Sequence, residues 1–338
     1  MVDMFNLTDS ILELNRDVEP LIIQGSATRT QFFRQKFDDR YKPLQFVHFS
    51  DIHAVLDLWN RLVEYINYYH EYIDFGLHTG DYCGGNQSLY VDFYNCGEKC
   101  VHPIYNCVGN HDTYITKKWL KNTKESVYNL LFAPISDGSD MVDYMECDFS
   151  MTYYKDFPES NLRIVVLDLY YDIEQQCKWL ETVLEDAREK GLCVITAMHE
   201  PSGQVNDTYG VTFHTANDYL GLHGAKNPVP YETVIVDFIK RGGCHICNLA
   251  GHEHHDMFGM TDAGVLNSVV PSGTDWDGWC DGKRVKGTRT YDCFNVVSVD
   301  ANLGLLRIAR VGNNRDCFMR SQRSLCFDYV NKKVVYND

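Results

Sequence analysis

Residues 44–53 read Leu44-Gln45-Phe46-Val47-His48-Phe49-Ser50-Asp51-Ile52-His53. An apolar run of strand length breaks off into a carboxylate and an imidazole. Lys42-Pro43 stands in front of it, and proline marks the point where an extended segment opens. The same grammar returns four more times. Phe75-Gly76-Leu77-His78 runs into Thr79-Gly80-Asp81, and Ile104-Tyr105-Asn106-Cys107-Val108 into Gly109-Asn110-His111-Asp112. Leu192-Cys193-Val194-Ile195-Thr196-Ala197 delivers Met198-His199-Glu200, and Cys244-His245-Ile246-Cys247-Asn248-Leu249 leads to Gly251-His252-Glu253-His254. Each run reads as a strand whose carboxyl end carries polar groups, and α/β proteins bind their ligands beyond those ends.

Segments with helical spacing lie between the runs. Leu56, Trp59, Leu62 or Val63, Ile66, Tyr69 and Ile73 recur every three or four residues and make one apolar face. Asp172 is placed to cap a helix with Trp179, Leu180, Val183, Leu184 and Ala187 on one side and Gly191 as its stop. Pro230 opens a helix carrying Val234, Ile235, Phe238 and Ile239, which stops at Gly242-Gly243. A further helix is expected around Trp119 and Leu120, ending near Leu130-Leu131. Leu162 to Leu167 reads as a fully buried strand. Tyr291 to Val299 and Leu303 to Val311 alternate between turn residues, as antiparallel strands completing a second sheet do.

Three stretches follow: a lead-in over 1–43 with a possible hairpin from Leu21-Ile22-Ile23 to Gln31-Phe32-Phe33, a main domain over 44–312, and a C-terminal extension over 313–338. Residues 201–229 read as one long loop, and loops of that length are often functional. This one offers Asn206, His214, His223 and Lys226.

The 338 residues are 44% hydrophobic and 23% charged, the balance of a globular chain. The formal charge of -16, from 31 basic and 47 acidic residues, disfavours a long nucleic acid, which is held largely by positive charge. It leaves phosphate substrates open, because bound metals invert the local potential. Arg307, Arg310 and Arg315 form the notable basic cluster, but on a strand Arg307 and Arg310 point opposite ways. No stretch approaches a membrane span, and no secretion signal opens the chain. With 13 cysteines, these features favour a cytoplasmic location. Cys244 and Cys247 are spaced like half a zinc knuckle with no second half, so a buried strand with free thiols is expected there. Cys96 and Cys100 are either a clip or idle, and Cys83 stands as a thiol beside Asp81.

The five clusters together supply imidazoles, carboxylates and one amide carbonyl. That mixture suits two divalent ions of the Mn, Fe or Zn type. Asp51 and His53 fall two apart on an extended segment and face one ion, and His252 and His254 repeat the spacing. Glycines before Asp81, Asn110 and His252 allow tight turns and close approach.

At these blocks, in this order and over about two hundred residues, the chain resembles the calcineurin-like metallophosphoesterase family. The resemblance implies a four-layer α/β/β/α sandwich of two mixed sheets flanked by helices. It also implies that Asp51, His53 and His254 bind one ion, that Asn110, His199 and His252 bind the other, and that Asp81 bridges them. His111 would sit beside the phosphate, steady the transition state and protonate the leaving group. One departure stands out: where many members carry a second aspartate that orients this histidine, the chain has Gly84. The tyrosinate ligand of one phosphatase branch is excluded by the same glycine. The implied reaction is hydrolysis of a small phosphate monoester or diester by hydroxide activated between two divalent ions. A metal-binding regulatory or scaffolding module with little turnover is the alternative that Gly84 motivates.

Overall fold

The computed structural model describes residues 40–82, 87–113, 128–129, 143–145, 150–170, 173–207, 210–211, 215–216, 230–254, 256–273, 291–312 and 324–337. The lead-in hairpin, the helix expected around Trp119 and the residues Cys83, Gly84, Asp172, His214, His223, Lys226 and Arg315 lie outside them.

The first strand, β1, spans Leu44–Phe49, as its apolar run predicts. It pairs in parallel with β2 (Phe75–His78), which pairs in parallel with β3 (Ile104–Asn106). Two helices follow β1 and β2: α1 over Leu56–Tyr68 and α2 over Gln87–Gly97. The apolar face of α1 buries Leu58, Trp59, Leu62, Val63, Tyr65 and Ile66. Trp59 is its anchor, with ring centroids 5.5 Å from Phe49 of β1 and 5.4 Å from Phe93 of α2. Asn110–Thr113 forms the short α3 after β3.

On the other side of β1, β13 (Cys293–Asp300) and β14 (Leu305–Gly312) form an antiparallel ladder. The alternation that predicts these strands is correct, but the sheet they join is the first one, against β1. The polypeptide continues into β15 (Ser324–Asp328) and β16 (Lys333–Asn337). The first sheet therefore has the order β16-β15-β14-β13-β1-β2-β3, and residues expected as a C-terminal extension form its outer edge.

The second sheet is built on β6 (Leu162–Val166), β7 (Cys193–Ala197) and β10 (Cys244–Ala250), all parallel. Its edges are β5 (Tyr153–Phe157) with β4 (Asp143–Tyr144) on one side, and β12 (Leu266–Val269) with β11 (Met257–Met260) on the other. A small hairpin, β8 (Asn206–Asp207) with β9 (Gly210–Val211), breaks the stretch read as one loop. The crossover helices α4 (Ile173–Lys190) and α5 (Tyr231–Lys240) cover the outer face, burying Leu180, Leu184, Val234 and Phe238 with Val165 and Val194.

Residues of both sheets meet in one apolar layer. Phe75 of β2 stacks on Phe157 of β5 at 5.1 Å and on Phe46 of β1 at 4.6 Å, between ring centroids. Phe258 of β11 meets Phe327 of β15 at 5.6 Å. The result is two mixed sheets flanked by helices. The period of two along β6 shows how the layers are held. Leu162, Ile164 and Val166 face the other sheet, while Arg163 faces α4. The fully buried Arg163 guanidinium donates to Asp156 at 2.6 and 2.8 Å, to Asp186 at 2.7 Å and to the Val183 carbonyl at 2.7 Å. Arg307 and Arg310 do point opposite ways on β14, with Arg310 fully buried and Arg307 half-buried.

Several histidines are buried without charge. Burial holds His245 down to about 3, and burial with the charge of Arg310 does the same to His48. An unfolded chain takes up their protons near 6.5, while the fold refuses them until about 3. Their contribution to stability is therefore complete above pH 6.5 and lost as the pH falls through that window. Each such histidine is expected to cost about 1.4 kcal/mol per pH unit. Urea unfolding of His245→Gln should show a pH dependence between 6.5 and 5 shallower by one proton than the unsubstituted protein. An unchanged slope would contradict the assignment.

Candidate metal centre

The loops that follow β1, β2, β3, β7 and β10 meet at one end of the inter-sheet layer. Backbone hydrogen bonds lace them together: Asp51 N–H to the Gly80 carbonyl at 3.0 Å, His53 N–H to Asp81 at 3.1 Å, and Gly251 N–H to His199 at 2.9 Å. Asp51, His53, Asp81, His252 and His254 all take left-handed backbone, with φ between 46° and 69°. This corrects the extended geometry expected for Asp51-Ile52-His53 and His252-Glu253-His254. A left-handed residue curls the chain back, so side chains two apart are gathered toward one point. That conformation costs about 1–2 kcal/mol for a non-glycine residue, and it concentrates at functional sites.

The three glycines anticipated from the motifs are required by contact: a Cβ on Gly80 would lie 2.5 Å from His199 Nδ1 and 2.8 Å from the Gly109 backbone. A Cβ on Gly109 would lie 2.1 Å from Asp81 Oδ1, and one on Gly251 would lie 1.9 Å from Ser50 Oγ and 2.5 Å from Asp51 Oδ2.

Two groups of donors result. In the first, His254 Nε2 is 3.3 Å and His53 Nε2 3.8 Å from Asp51 Oδ1, and the two imidazole nitrogens are 2.9 Å apart. In the second, Asn110 Oδ1 is 2.9 Å from His199 Nε2 and 3.0 Å from His252 Nδ1. Asp81 Oδ2 lies between the groups, 3.3 Å from His199 Nε2 and 4.0 Å from His53 Nε2. Asp51, His53, Asp81 and His254 form a set able to hold a metal ion, as do His199, Glu200 and His252. The structure thus brings all seven expected ligand residues to one place, although each donor group takes residues from both sheets.

The donor set fits divalent ions on its own terms. Each carboxylate spends one oxygen on a backbone N–H: Asp51 Oδ2 accepts from His252 at 3.0 Å, and Asp81 Oδ1 from His111 at 2.8 Å. The other oxygens, Asp51 Oδ1 and Asp81 Oδ2, are buried and accept no hydrogen bond among the described residues. Buried carboxylate oxygens of that kind call for a cation. Nitrogens each ~2.0–2.1 Å from one ion stand roughly 3 Å apart, close to the spacing of these imidazoles. His199 Nδ1 is 2.6 Å from the Thr79 carbonyl, which can only accept, so in the neutral ring the lone pair is on Nε2 facing the centre. Burial holds His53 down to about 4, which keeps that imidazole neutral and ready to ligate.

His111 stands at the mouth, its side chain 27% exposed, with Nε2 4.0 Å from Asp81 Oδ2. Its ring stands edge-on to His53 at 4.9 Å. Asp112 does not face it. The buried Asp112 carboxylate accepts N–H groups from Asp81, Tyr82 and Gly109, each at 3.0 Å, and the Tyr90 hydroxyl at 2.8 Å. It ties the loop after β2 to the loop after β3. Burial, then the charge of Asp81, pushes its carboxyl up to about 6.

Sequence reasoning missed three groups. Asp112 was read only as a neighbour of His111. Glu200 is fully buried, accepts the Tyr170 hydroxyl, and is pushed up to about 7 by burial. Asp256, two residues beyond His254, pairs with Arg310 of β14 at 2.8 Å, and Arg310 Nε donates to Asn295 at 2.7 Å. A carboxylate directly beside a motif histidine was the available signal for Glu200. Nothing local announced Asp256 or its partner from the other sheet.

Three substitutions test these supports. Gly109→Ala should displace Asp81 and cost most of the bound metal, read as metal equivalents per chain by elemental analysis. Arg310→Met should destabilise the protein by about 3–5 kcal/mol, because it removes the guanidinium that faces the buried Asp256 carboxylate. Adding Asp256→Leu should restore most of that loss in urea unfolding. An additive penalty would show that the pair is not coupled.

No curated protein matches the chain. Among solved structures, a dimetal phosphatase from Danio rerio is similar at a TM-score of 0.57 and 14% identity, over 84% of this chain and 98% of that one. The purple acid phosphatase PPD1 of yellow lupin is similar at 0.52 and 14%, over 86% of this chain and 54% of that one. At such identities the likeness is one of fold. The family model for calcineurin-like phosphoesterases matches residues 44–256, more than half of the sequence and the part that carries every residue of both donor groups. The chain belongs to the calcineurin-like phosphoesterase family.

Proposed function

We propose that the protein hydrolyses a small phosphate ester with the help of two divalent ions of the Mn, Fe or Zn type. The observation that carries this reading is the pair of donor groups sharing Asp81, with Asp51 Oδ1 and Asp81 Oδ2 buried and accepting no hydrogen bond among the described residues. Asp51, His53 and His254 would hold one ion, Asn110, His199 and His252 the other, and Asp81 would bridge. Such ions supply Lewis acidity, which makes hydroxide available near neutral pH and offsets charge on the phosphoryl oxygens.

The remaining work belongs to the side chains. Asp51 and Asp81 fix the ligand cage through the N–H groups of His252 and His111. Thr79 fixes the ring of His199. His111, at the exposed mouth, is placed to hydrogen-bond a phosphoryl oxygen and to donate a proton to the departing oxygen. Its backbone is held by Asp81, so the loss of an aspartate at position 84 does not by itself leave it unpositioned. The acidic balance of the chain favours a small ester over a long nucleic acid.

Hydrolysis of bis(p-nitrophenyl) phosphate and p-nitrophenyl phosphate, side by side in added Mn²⁺, tests the reading. Turnover of at least one is expected, reduced more than about 100-fold in His252→Ala. Absence of any turnover sensitive to that substitution would favour a metal-binding module instead. For His111→Ala, a loss of about 10²–10⁴-fold is expected with an alkyl leaving group and a smaller loss with p-nitrophenolate, which departs without a proton. Metal content should stay unchanged. Equal losses with both leaving groups would remove the acid role.

A further inference from the structure

Away from the metal centre, at the opposite ends of the same strands, two thiols meet. Cys193 opens β7 and Cys244 opens β10; the two are directly paired across the parallel ladder. Cys193 and His199 are six positions apart, about 20 Å of extended chain. The sequence spacing had singled out Cys244 with Cys247, but Cys247 is fully buried beyond a bulge in the ladder between His245 and Cys247. The thiol beside Cys244 is that of Cys193, its register partner on β7. Neighbouring strands lie about 4.7–4.9 Å apart, inside the range of Cα separations that a disulfide spans.

The first sheet supplies the surroundings. Tyr329, just past β15, places its hydroxyl 4.0 Å from Cys193 Sγ. Lys332, in the turn before β16, donates from Nζ to the His245 carbonyl at 3.1 Å, beside the pair. Cys193 is 8% exposed, and Cys244 is half-buried next to it. This burial admits a small oxidant and hinders a bulky one.

We propose that Cys193 and Cys244 form a hydroperoxide-reactive dithiol, with Cys193 as the attacking sulfur and Cys244 as the resolving one, closing a disulfide between β7 and β10. The assignment of roles agrees with the acidities. Burial pushes Cys96 and Cys100 up to about 11 and Cys177 and Cys247 up to about 12. Cys193 moves the other way, lowered first by Cys244 beside it and then by Tyr329 and Lys332, against the burial that would raise it. Cys244 is raised by the Cys193 sulfur and by burial. A thiol with a second thiol beside it is the arrangement that turns oxidation into a reversible event.

The chemistry balances. The Cys193 thiolate attacks one peroxide oxygen, the O–O bond breaks, and the departing hydroxide takes up a proton as water, leaving a sulfenic acid. The Cys244 sulfur then attacks the Cys193 sulfur, the S–O bond breaks, and hydroxide leaves with the Cys244 proton as a second water. Two thiols lose two electrons, and one hydrogen peroxide becomes two waters.

The full chain is treated with hydrogen peroxide, free thiols are blocked with N-ethylmaleimide, and the digest is read by mass spectrometry. A peptide pair joining Cys193 to Cys244, reversed by dithiothreitol, is expected. In Cys244→Ser, dimedone should trap Cys193 as its sulfenic acid adduct. Lys332→Gln keeps both thiols in place and should slow disulfide formation several-fold, so the proposal remains testable if a cysteine variant fails to fold. Recovery of both thiols fully alkylated, under peroxide that oxidises glutathione in the same tube, would overturn it. So would a dominant disulfide joining either residue to a different cysteine, or an undiminished rate in Lys332→Gln.

Discussion

The architecture turns on two buried carboxylates, Asp51 and Asp81, that stand where the two sheets meet. Each is anchored on one oxygen by a backbone N–H, and each aims the other oxygen at imidazoles from both sheets. His254 and His199 come from the second sheet, while His53 and Asn110 come from the first. The relative placement of the sheets is therefore the same thing as the geometry of the site. A shift of either sheet by one residue would turn its side chains to the opposite face and empty half of the cage.

Several buried polar contacts enforce that placement. Asp112 ties the loops of β2 and β3 through three N–H groups, and Tyr90 of α2 adds a fourth donor. The Arg310–Asp256 pair reaches from β14 to the segment just beyond His254. A fully buried ion pair adds little net stability against an apolar replacement but is costly to break. Its value here is positional: left-handed residues at His252 and His254 persist only where the surroundings hold them. The aromatic contacts between sheets, such as Phe75 with Phe157, are non-directional by comparison and tolerate small adjustments.

The strands legible in advance were the central ones. β1, β6, β7 and β10 are buried on both faces and read as continuous apolar runs, which is how parallel strands in a covered sheet must look. Of the outer strands, β3 was visible as the run Ile104 to Val108, and the others were not seen. β5 is Tyr153-Tyr154-Lys155-Asp156-Phe157, half-buried and mixed in polarity, and β11, β12, β15 and β16 are short or carry polar residues that pass for loops. Their pairing is decided by the neighbouring strand, so local propensity says little about them. The antiparallel ladder β13–β14 was visible by its alternation, yet its sheet was not, because an alternating strand says which face is apolar and not which neighbour it will find.

The sequence by itself determined which residue types stand at the strand ends and in what order, and hence the family and the donor chemistry. Motif glycines, histidines and carboxylates are local features, and their spacing survives without knowledge of the fold. Only the tertiary structure decided how they meet. It placed left-handed backbone where extended chain was expected, turned Asp112 toward the backbone of two loops and away from His111, and brought Arg310 to Asp256. It also set Cys244 beside Cys193, 51 positions earlier. Each of these contacts joins groups far apart in the chain, and contacts of that kind are set by sheet pairing and layer packing, which no local window of residues encodes.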